Sequence, residues 1–394
     1  MPSLPNNPPV TPATFERAGD EDFARISAIV LAAGYSSRMG RFKPLLPFKG
    51  SPVLERTIGL FTRAGVRDVA VVVGHRAEAL MPLVTRAGGR AVLNANFDAG
   101  MFSSVCAGVR ALPLDSEACF LLPADMPLIR TATLLTLAKV HRAHPLAVLF
   151  PVFEGKRGHP PLVPCAIVRE AIDSGSAGPL SAILHSPGLC AIEVEVPDEA
   201  IHLDMDAPED YEAMLTNAHR EDLPSARECK AILRAQEVAE ATVLHSEAVA
   251  AIALQLARAL QEKGHPLDIG LVHAAALLHD VAKRQPEHAS AGAAILNGMG
   301  FPAVGRVVAA HTGLPTDCDE VDERALVFLA DKLVAGTQFV GVERRFQPAL
   351  ERFHDQPEAL AAAERRLHMA RRIANAVESI LGMKLLDHCV GSAR

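Results

Sequence analysis

The chain of 394 residues lacks three features, each of which would define a class of protein. It has no basic excess: the formal net charge is −7, which argues against a surface for the phosphate backbone of nucleic acids, although local sites for small anions stay possible. It has no uninterrupted run of roughly 18 apolar residues, the length that a membrane helix needs. Its seven cysteines are odd in number and include no C-x-x-C pair, as expected for reduced thiols.

The amino-terminal stretch is equally poor in targeting signals. Residues 1–24 are rich in proline and lack the charged start and apolar stretch of a signal peptide. We therefore expect a disordered extension here and a cytoplasmic protein with neither a membrane nor a nucleic-acid partner.

The composition is that of an ordinary globular protein, and we expect two domains. Hydrophobic residues make up 49% and charged residues 22% of the chain. Over residues 25–216, apolar runs of strand character alternate with helical segments, which predicts an α/β domain with a mostly parallel, Rossmann-like sheet. Over 229–394, alanine and leucine recur at helical spacing, which predicts an all-α domain. The polar segment 217–228 is the predicted linker.

The first strand of the α/β half, in "AIVLAAGYSSRMGRFKPLLPF", breaks into a loop that carries Gly34, Arg38 and Lys43. Ligands of open α/β sheets bind beyond the carboxyl ends of the strands. Glycines let the backbone approach phosphates, and the two basic side chains can neutralise them. Because neither the G-x-x-x-x-G-K-[ST] nor the G-x-G-x-x-G spacing is present, the loop is neither a P-loop nor a dinucleotide fingerprint.

Three aspartates complete a candidate triphosphate site. Asp125 ends an apolar strand, and Asp204 and Asp206 follow another. Beside a triphosphate loop they predict a Mg²⁺ site, because Mg²⁺ takes one or two carboxylates together with phosphate oxygens. We expect Asp125 and Asp206 to bind the ion while Arg38 and Lys43 position and neutralise the phosphates.

The loop string resembles L-A-A-G-x-S-x-R-M-G-x-x-K, the signature of the molybdenum cofactor nucleotidyltransferases within the NTP-transferase superfamily. Four later stretches match that family in order: "NANFDAGMFSSVCAGV" (94–109), "LLPADMPLI" (121–129), "KRGHPPLVP" (156–164) and "HLDMDAPEDYEAM" (202–214). The resemblance implies transfer of CMP or GMP to molybdopterin, with a molybdoenzyme or its maturation factor as a candidate partner. It implies a nucleotide site formed by Leu31, Ala32, Ala33, Gly34, Ser36, Arg38, Lys43 and Asp125. It implies an acceptor site formed by Ser103, Ser104, Gly158, His159 and Pro160.

Details of the motifs bear on the substrates. The double alanine at Ala32 and Ala33 resembles the cytidylyl branch of the family, so CTP is the expected donor. The sequence departs from the family at Ala207, where threonine is usual, and in "MFSSV", where a fuller serine run is common. These departures leave open another phosphorylated acceptor, such as a sugar phosphate or phosphocholine.

Histidines and aspartates recur on apolar helical faces in the second half. His245, for example, lies in line with Val249, Ile252 and Leu256. Burial of two aspartates costs several kcal/mol unless a cation compensates. We find no arginine or lysine at helical spacing to do so. For Lys283, one turn past His279, we favour a solvated helix-end lysine over a contact to substrate phosphate. The six candidate ligands of the predicted metal site are His245, His279, Asp280, His288, His311 and Asp331.

The order H…HD…H…H…D, with "LLHDVAK" at its centre, resembles the HD-domain metal-dependent phosphohydrolases. The resemblance implies one metal held by His245, His279, Asp280 and Asp331. His288 and His311 would hold a second, with Asp280 as a bridging and catalytic group. Imidazole and carboxylate ligands suit Fe, Mn, Zn or Mg. The alternative is a metal-stabilised module that senses a nucleotide and regulates the first half.

Overall fold

The structure is a computed structural model that describes residues 23–174, 184, 189–218, 222–314 and 320–385. Contacts divide the chain into two compact units, Met1–Glu221 and Asp222–Arg394. The predicted amino-terminal extension lies outside the described residues, except for its last two positions.

The first unit alternates strands with helices. Its strands are β1 (Ile26–Ala32), β2 (Pro47–Phe48), β3 (Ser51–Pro52), β4 (Val69–Val73), β5 (Arg90–Leu93), β6 (Ala118–Pro123), β7 (Val148–Phe153), β8 (Lys156–Arg157), β9 (Leu162–Pro164) and β10 (Ala191–Glu195). Its helices are α1 (Val53–Ala64), α2 (Ala77–Arg86), α3 (Met101–Ala111), α4 (Thr131–Ala143), α5 (Cys165–Asp173) and α6 (Pro208–Ala218).

Eight strands form one sheet in the order β10-β7-β9-β6-β1-β4-β5, with β8 paired to β7. The pairs of β1 with β4 and β6, of β4 with β5 and of β7 with β10 are parallel. The runs of Val, Ile and Leu in β1 and β4 are buried almost throughout, as expected for strands covered by helices on both faces. β9 runs antiparallel to β6 and β7, and β8 runs antiparallel to β7, so the sheet is mostly but not entirely parallel, which confirms the predicted class.

The centre of the sheet determines where the site forms. β1 lies between β4 and β6, so the segments that follow these strands leave the sheet at one edge. Backbone bonds connect the segments there: Ala124 N donates to Leu31 O at 3.0 Å, and His75 N donates to Ala33 O at 3.0 Å. The signature loop and the segment containing Asp125 therefore start side by side.

The second unit is helical, as predicted, except for a short hairpin of β11 (Val334–Ala335) and β12 (Gln338–Phe339). Its helices are α7 (Ala226–Ala235), α8 (Glu240–Glu262), α9 (Ile269–Leu278), α10 (His288–Gly298), α11 (Pro302–Ala310), α12 (Glu323–Leu333), α13 (Val342–Arg352) and α14 (Pro357–Leu381). By length and composition alone α8 could cross a membrane. Its side chains Val249, Ala253 and Leu256 are buried, and the helix packs against α9, α12 and α14.

The predicted linker 217–228 overlaps helices at both ends. α6 extends to Ala218, and α7 begins at Ala226 because Ser225 and Glu228 form a reciprocal capping box. Ser225 Oγ accepts from Glu228 N at 3.2 Å, and Ser225 N donates to Glu228 Oε2 at 2.8 Å. The S-x-x-E spacing of this helix start is visible in the sequence. The predicted linker is too long because its bounds follow polar composition alone.

Candidate functional sites

A cavity of about 380 Å³ lies at the carboxyl edge of the first unit's sheet. Much of the predicted nucleotide site lines it, together with Ser104 and Asp206. Those predicted nucleotide residues are Leu31, Ala32, Ala33, Gly34, Ser36, Lys43 and Asp125. Arg38 does not line the cavity, but its Nη1 donates to Asp206 Oδ2 at 2.9 Å.

The loop after β1 folds back on itself so that its basic residue points inward. Ser36 adopts a positive φ of 58°, and its Oγ accepts a hydrogen bond from Lys43 N at 3.1 Å. Gly40, at φ 65°, completes the reversal in a region that favours glycine. The local backbone thereby brings the Lys43 side chain to the floor of the cavity.

Lys43 joins two of the predicted metal ligands. Its Nζ donates to Asp125 Oδ2 at 2.8 Å and to Asp206 Oδ1 at 3.1 Å. Burial disfavours the ammonium charge, but these two bonds outweigh burial, and the pKa of Lys43 is raised. The bond from Lys43 also lowers the pKa of Asp206. Two carboxylate oxygens thus converge on one position that holds positive charge.

The position of Asp204 differs from the one that the sequence predicts. It and Asp206 do not directly follow a strand, because β10 ends at Glu195 and a 3₁₀ turn, Glu199–His202, intervenes. Asp204 is exposed, and its pKa is raised by partial burial and by the charges of Asp206 and Asp125. Among the described residues, the three aspartates do not form a set whose ligand atoms all lie within 4.8 Å.

The predicted acceptor residues occupy two places. Ser103 and Ser104 lie on α3, where both hydroxyls accept from Asn94 Nδ2, at 2.9 and 3.0 Å. Gly158 and His159 lie between β8 and β9, and His159 N donates to Ile201 O at 2.9 Å. Part of the His159 surface is exposed, yet burial of its ring lowers the pKa, against the attraction of Asp204 and Asp125. Pro160 follows through a cis peptide bond and is buried.

In the second unit, the six predicted ligands come from five segments and meet in one cluster. His245 lies on α8, His279 and Asp280 follow α9, His288 starts α10, His311 follows α11, and Asp331 lies on α12. The side chains of His279, Asp280 and His311 are at most 2% exposed. Two sets of possible ligand atoms share Asp280: one with His245 and His279, the other with His288 and His311.

Asp280 and Asp331 are the carboxylates around which the imidazoles gather. Asp280 Oδ1 lies 3.4 Å from His288 Nε2 and 3.5 Å from His311 Nε2. Asp331 Oδ1 lies 3.2 Å from His245 Nε2 and 3.8 Å from His279 Nε2. Burial opposes ionisation of Asp280, whereas its polar neighbours, Lys283 among them, favour ionisation and lower its pKa.

Backbone carbonyls fix the orientation of three imidazoles. The Nδ1 atoms of His245, His279 and His311 lie 2.8, 2.8 and 2.6 Å from carbonyl oxygens of Gly336, Ala276 and Val308. A carbonyl only accepts, so each Nδ1 carries a hydrogen and each neutral ring presents an Nε2 lone pair to the cluster. This tautomer is the one that binds a metal through Nε2.

The Nε2 atoms of the cluster face one another and the two carboxylates. His288 Nε2 and His311 Nε2 lie 3.1 Å apart. His279 Nε2 is buried and forms no hydrogen bond with any described residue. A buried, unpartnered imidazole nitrogen beside carboxylates and further imidazoles is a donor set that fits a divalent metal ion.

Two lysines also reach the carboxylates. Lys283 Nζ lies 2.9 Å from Asp280 Oδ2, and Lys332 Nζ bonds Asp331 Oδ2. The prediction that no basic residue offsets the aspartates is therefore wrong, as is the interpretation of Lys283 as merely solvated. Lys283 lies three residues after Asp280, and the turn at the end of α9 brings its Nζ within hydrogen-bonding distance of the Asp280 carboxylate.

Comparison with known proteins shows what these two units are. The model of the MobA-like NTP transferase domain matches residues 28–187, and that of the HD domain matches residues 242–336. Molybdenum cofactor guanylyltransferase of Xanthomonas euvesicatoria pv. vesicatoria is 31% identical over 194 residues, 48% of this chain and 94% of that protein. The chain belongs to the MobA-like NTP transferase family. This MobA-like transferase is an enzyme of nucleotidyltransferase type and carries an HD domain.

Two further relatives of the MobA-like transferase match its first half. Molybdenum cofactor cytidylyltransferase of Escherichia coli (strain K12) is 29% identical over 187 residues, 47% of this chain and 93% of that protein. Nicotine blue oxidoreductase of Paenarthrobacter nicotinovorans is 28% identical over 206 residues, 50% of this chain and 100% of that protein. Because one fold can carry different reactions, the substrate must be inferred from the residues of the site and not from the fold. Domains of the two matched types generally use divalent metal ions.

Some residues at the transferase's sites have no counterpart in the sequence-based prediction. Phe97 and Met101 line the cavity of the first unit, and Asn94 orients the two serines of α3. Lys332 pairs with its immediate neighbour Asp331. Adjacent helical residues do not normally face each other, so helical spacing gives no signal for that pair.

Proposed function

We propose that the first unit transfers a CMP group from CTP to molybdopterin in the cytoplasm and releases pyrophosphate. The observation that carries this proposal is the convergence of Asp125 and Asp206 on Lys43 beneath the signature loop. Similarity to the two molybdenum cofactor nucleotidyltransferases supports the acceptor. A molybdoenzyme or its maturation factor would receive the product.

Asp125 and Asp206 would hold Mg²⁺, since their oxygens already face one cationic position. The ion would supply positive charge to the triphosphate. Asp204, exposed beside them, adds negative charge that a cation relieves. The oxygen-only donor set agrees with this choice of ion.

The residues of the chain would act by position and charge. An oxygen of the acceptor's phosphate attacks the α-phosphorus of CTP, the bond from that phosphorus to the bridging oxygen breaks, and pyrophosphate leaves with the electron pair. Lys43 and Arg38 neutralise the charge that accumulates on the phosphates. Gly34 leaves space for the phosphates, because a Cβ there would meet nothing within 4 Å. Ala32 and Ala33 support CTP, since both line the cavity where the guanylyl branch carries a second glycine.

We propose in addition that the HD domain hydrolyses a phosphoester. His245, His279, Asp280 and Asp331 would hold one metal, and His288, His311 and Asp280 a second. Such ions generate a nucleophilic hydroxide near neutral pH. The chain's own contribution is the fixed set of Nε2 atoms, oriented by Gly336, Ala276 and Val308, around the Asp280 carboxylate that both ligand sets share.

The transfer reaction is tested by supplying the purified chain with Mg²⁺, molybdopterin and each of the four NTPs, and by measuring pyrophosphate release. We expect release with CTP and a decrease of about 10²–10³-fold in Lys43→Ala, the size typical for a lost electrostatic contact. Arg86→Ala is the control, because Arg86 is exposed and pairs with Glu55 at 3.1 Å. Preference for GTP would overturn the donor. Release with a sugar phosphate or phosphocholine, but not with molybdopterin, would overturn the acceptor.

The hydrolase and its rival, a nucleotide-sensing module, respond differently to loss of Asp280. If the domain hydrolyses, Asp280→Asn abolishes phosphohydrolase activity over a panel of nucleotides and leaves CMP transfer intact. If it senses, the same variant changes the nucleotide dependence of CMP transfer and no hydrolysis is seen in either chain. The second result would reject hydrolysis.

A further inference from the structure

A second cavity, of about 760 Å³, lies in the HD-containing unit. α14 forms one wall, and α12 together with the segment after α11 forms the other. Phe328 and Met369 give it an apolar floor, since both side chains are buried. Its size is within the range typical of sites for small ligands.

The rim of this cavity is basic. Arg365, His368 and Arg372 line it at intervals of three and four residues, which places them on one face of α14. Arg366 joins them beside that face. Among the lining residues that the structure describes, Glu364 is the acidic one. The lining therefore carries a local positive charge on a chain whose net charge is −7.

The pairing of the arginines differs between faces of α14. Arg371, outside the cavity, donates from Nε to Glu343 Oε1 at 2.7 Å. Arg365 and His368 form no hydrogen bond or ion pair within the described ranges. Arg366 of the lining donates from Nε to Ala362 O at 3.1 Å, whereas Arg365 and His368 are available to a ligand.

The cavity and the histidine cluster share a wall. Gly313 and Leu314, which line the cavity, follow His311 in the chain. Phe328 lies one helical turn before Asp331 and Lys332, and the Lys332 Nζ is 5.2 Å from the centroid of its ring. The same Nζ donates to His311 O at 3.4 Å. A ligand in the cavity thus lies one layer of residues from the proposed metal ligands.

We propose that this cavity binds a small ligand with phosphoanhydride-linked phosphates, recognised by Arg365 and His368, with its apolar part against Phe328 and Met369. Guanidinium groups suit phosphates because they donate paired hydrogen bonds. The concave shape and the acidic chain favour a small molecule over a nucleic acid. The ligand could be a nucleoside triphosphate or the pyrophosphate released by transfer. Because a layer of residues separates the cavity from the proposed metal ligands, binding here is independent of the proposed hydrolysis.

Binding is measured by titration calorimetry on the full chain carrying Lys43→Ala, which weakens the first unit's own triphosphate site. The probes are tripolyphosphate, CTP, pyrophosphate and orthophosphate. We expect Arg365→Gln to weaken tripolyphosphate binding about 10-fold or more, the effect of one lost charged hydrogen bond. Arg371→Gln is the matched control, with the same substitution on the same helix outside the cavity, and should change affinity less than about 2-fold.

The four probes distinguish a nucleoside triphosphate from pyrophosphate as the ligand, and they can contradict the proposal. Tighter binding of CTP than of tripolyphosphate identifies a nucleotide, because only the nucleoside reaches the apolar floor. Equal binding of pyrophosphate and CTP identifies pyrophosphate. Orthophosphate binding as tight as that of tripolyphosphate, or equal losses in Arg365→Gln and Arg371→Gln, would overturn the proposal.

Hydrolysis gives an independent readout. Binding that depends on Arg365 without any hydrolysis would reject the proposed hydrolase and keep the site.

Discussion

His288 Nε2 and His311 Nε2 face each other at 3.1 Å, beside the same oxygen of Asp280. The Nδ1 of His311 already donates to Val308 O, so its neutral ring has no hydrogen left for His288. The pair is satisfied in two ways, either by His288 donating from Nε2 to His311 or by a cation between the two rings. Burial and the nearby His311 lower the pKa of His288, which favours the neutral ring that can bind a metal ion.

We predict that His311→Gln lowers the transition-metal content of the purified chain by one ion, as measured by mass spectrometry of the metals. Metal that binds only the folded state adds about 2.7 kcal/mol of stability at a hundredfold excess over Kd, so a chelator should lower the melting temperature of the wild-type chain. His354→Gln is the control, since His354 is 73% exposed and pairs with Asp355. Equal metal content in both variants would contradict the prediction.

A second prediction concerns the lysine that pairs with Asp331. Lys332 and Asp331 have side chains only 12% and 8% exposed, so Lys332→Met leaves a buried carboxylate without its closest cation. We expect the metal-depleted variant to lose about 3–5 kcal/mol of unfolding free energy in urea, with part of the loss recovered when metal is added.

The comparison for that variant is Lys230→Met. Lys230 is 58% exposed and lies 3.6 Å from Glu247, so its removal should cost less than about 1 kcal/mol. Similar losses in the two variants would show that Lys332 contributes no more than a surface lysine.

Helical periodicity explains how the sequence predicts the cluster. His245 and Asp331 each lie on an apolar face, and a face that packs inward must bring its polar residue to the core. The residue pattern of one helical face does not predict the contact of Lys332 with Asp331. The flexible lysine side chain bends to its neighbour, and helical spacing does not bring the two together. The metal roles of these residues stay predictions, since geometry alone does not identify an ion.

In the first unit, the sequence predicts a mostly parallel sheet but not that β8 and β9 run in the opposite direction. β9 is three residues long and buried, so its composition is the same whether it runs parallel or antiparallel to β6. Asp204 shows the same limit: an apolar segment before it looks like a strand, whereas Glu199–His202 forms a 3₁₀ turn. Direction and turn type depend on tertiary contacts, which a local pattern does not contain.

A third prediction separates a glycine needed for packing from one needed for ligand. A Cβ at Gly158 would lie 2.6 Å from the carbonyl oxygen of Ile201, whereas at Gly34 it would meet nothing within 4 Å. Gly158→Ala should therefore destabilise the first unit by about 1–3 kcal/mol. Gly34→Ala should change stability by less than about 0.5 kcal/mol but raise KM for the nucleotide. Thermal melts and transfer kinetics check both, and a destabilised Gly34→Ala with unchanged KM would contradict the assignment.

The last prediction concerns His141 on α4, which is only 4% exposed. Neither ring nitrogen has a hydrogen-bond partner among the described residues, and burial lowers the pKa despite the charge of Glu117. The unfolded chain therefore binds a proton at higher pH than the folded chain, so stability falls as the pH drops below the unfolded pKa of about 6.5.

His141→Leu removes this titration without breaking a hydrogen bond. Urea midpoints at pH 7.5 should be similar for wild type and variant, whereas at pH 5.5 the wild type should be less stable by about 1 kcal/mol relative to the variant. The difference between the two chains matters, because other histidines titrate equally in both. Parallel stability curves over this pH range would mean that the buried ring accepts a proton in the folded state, and the argument from burial would then fail.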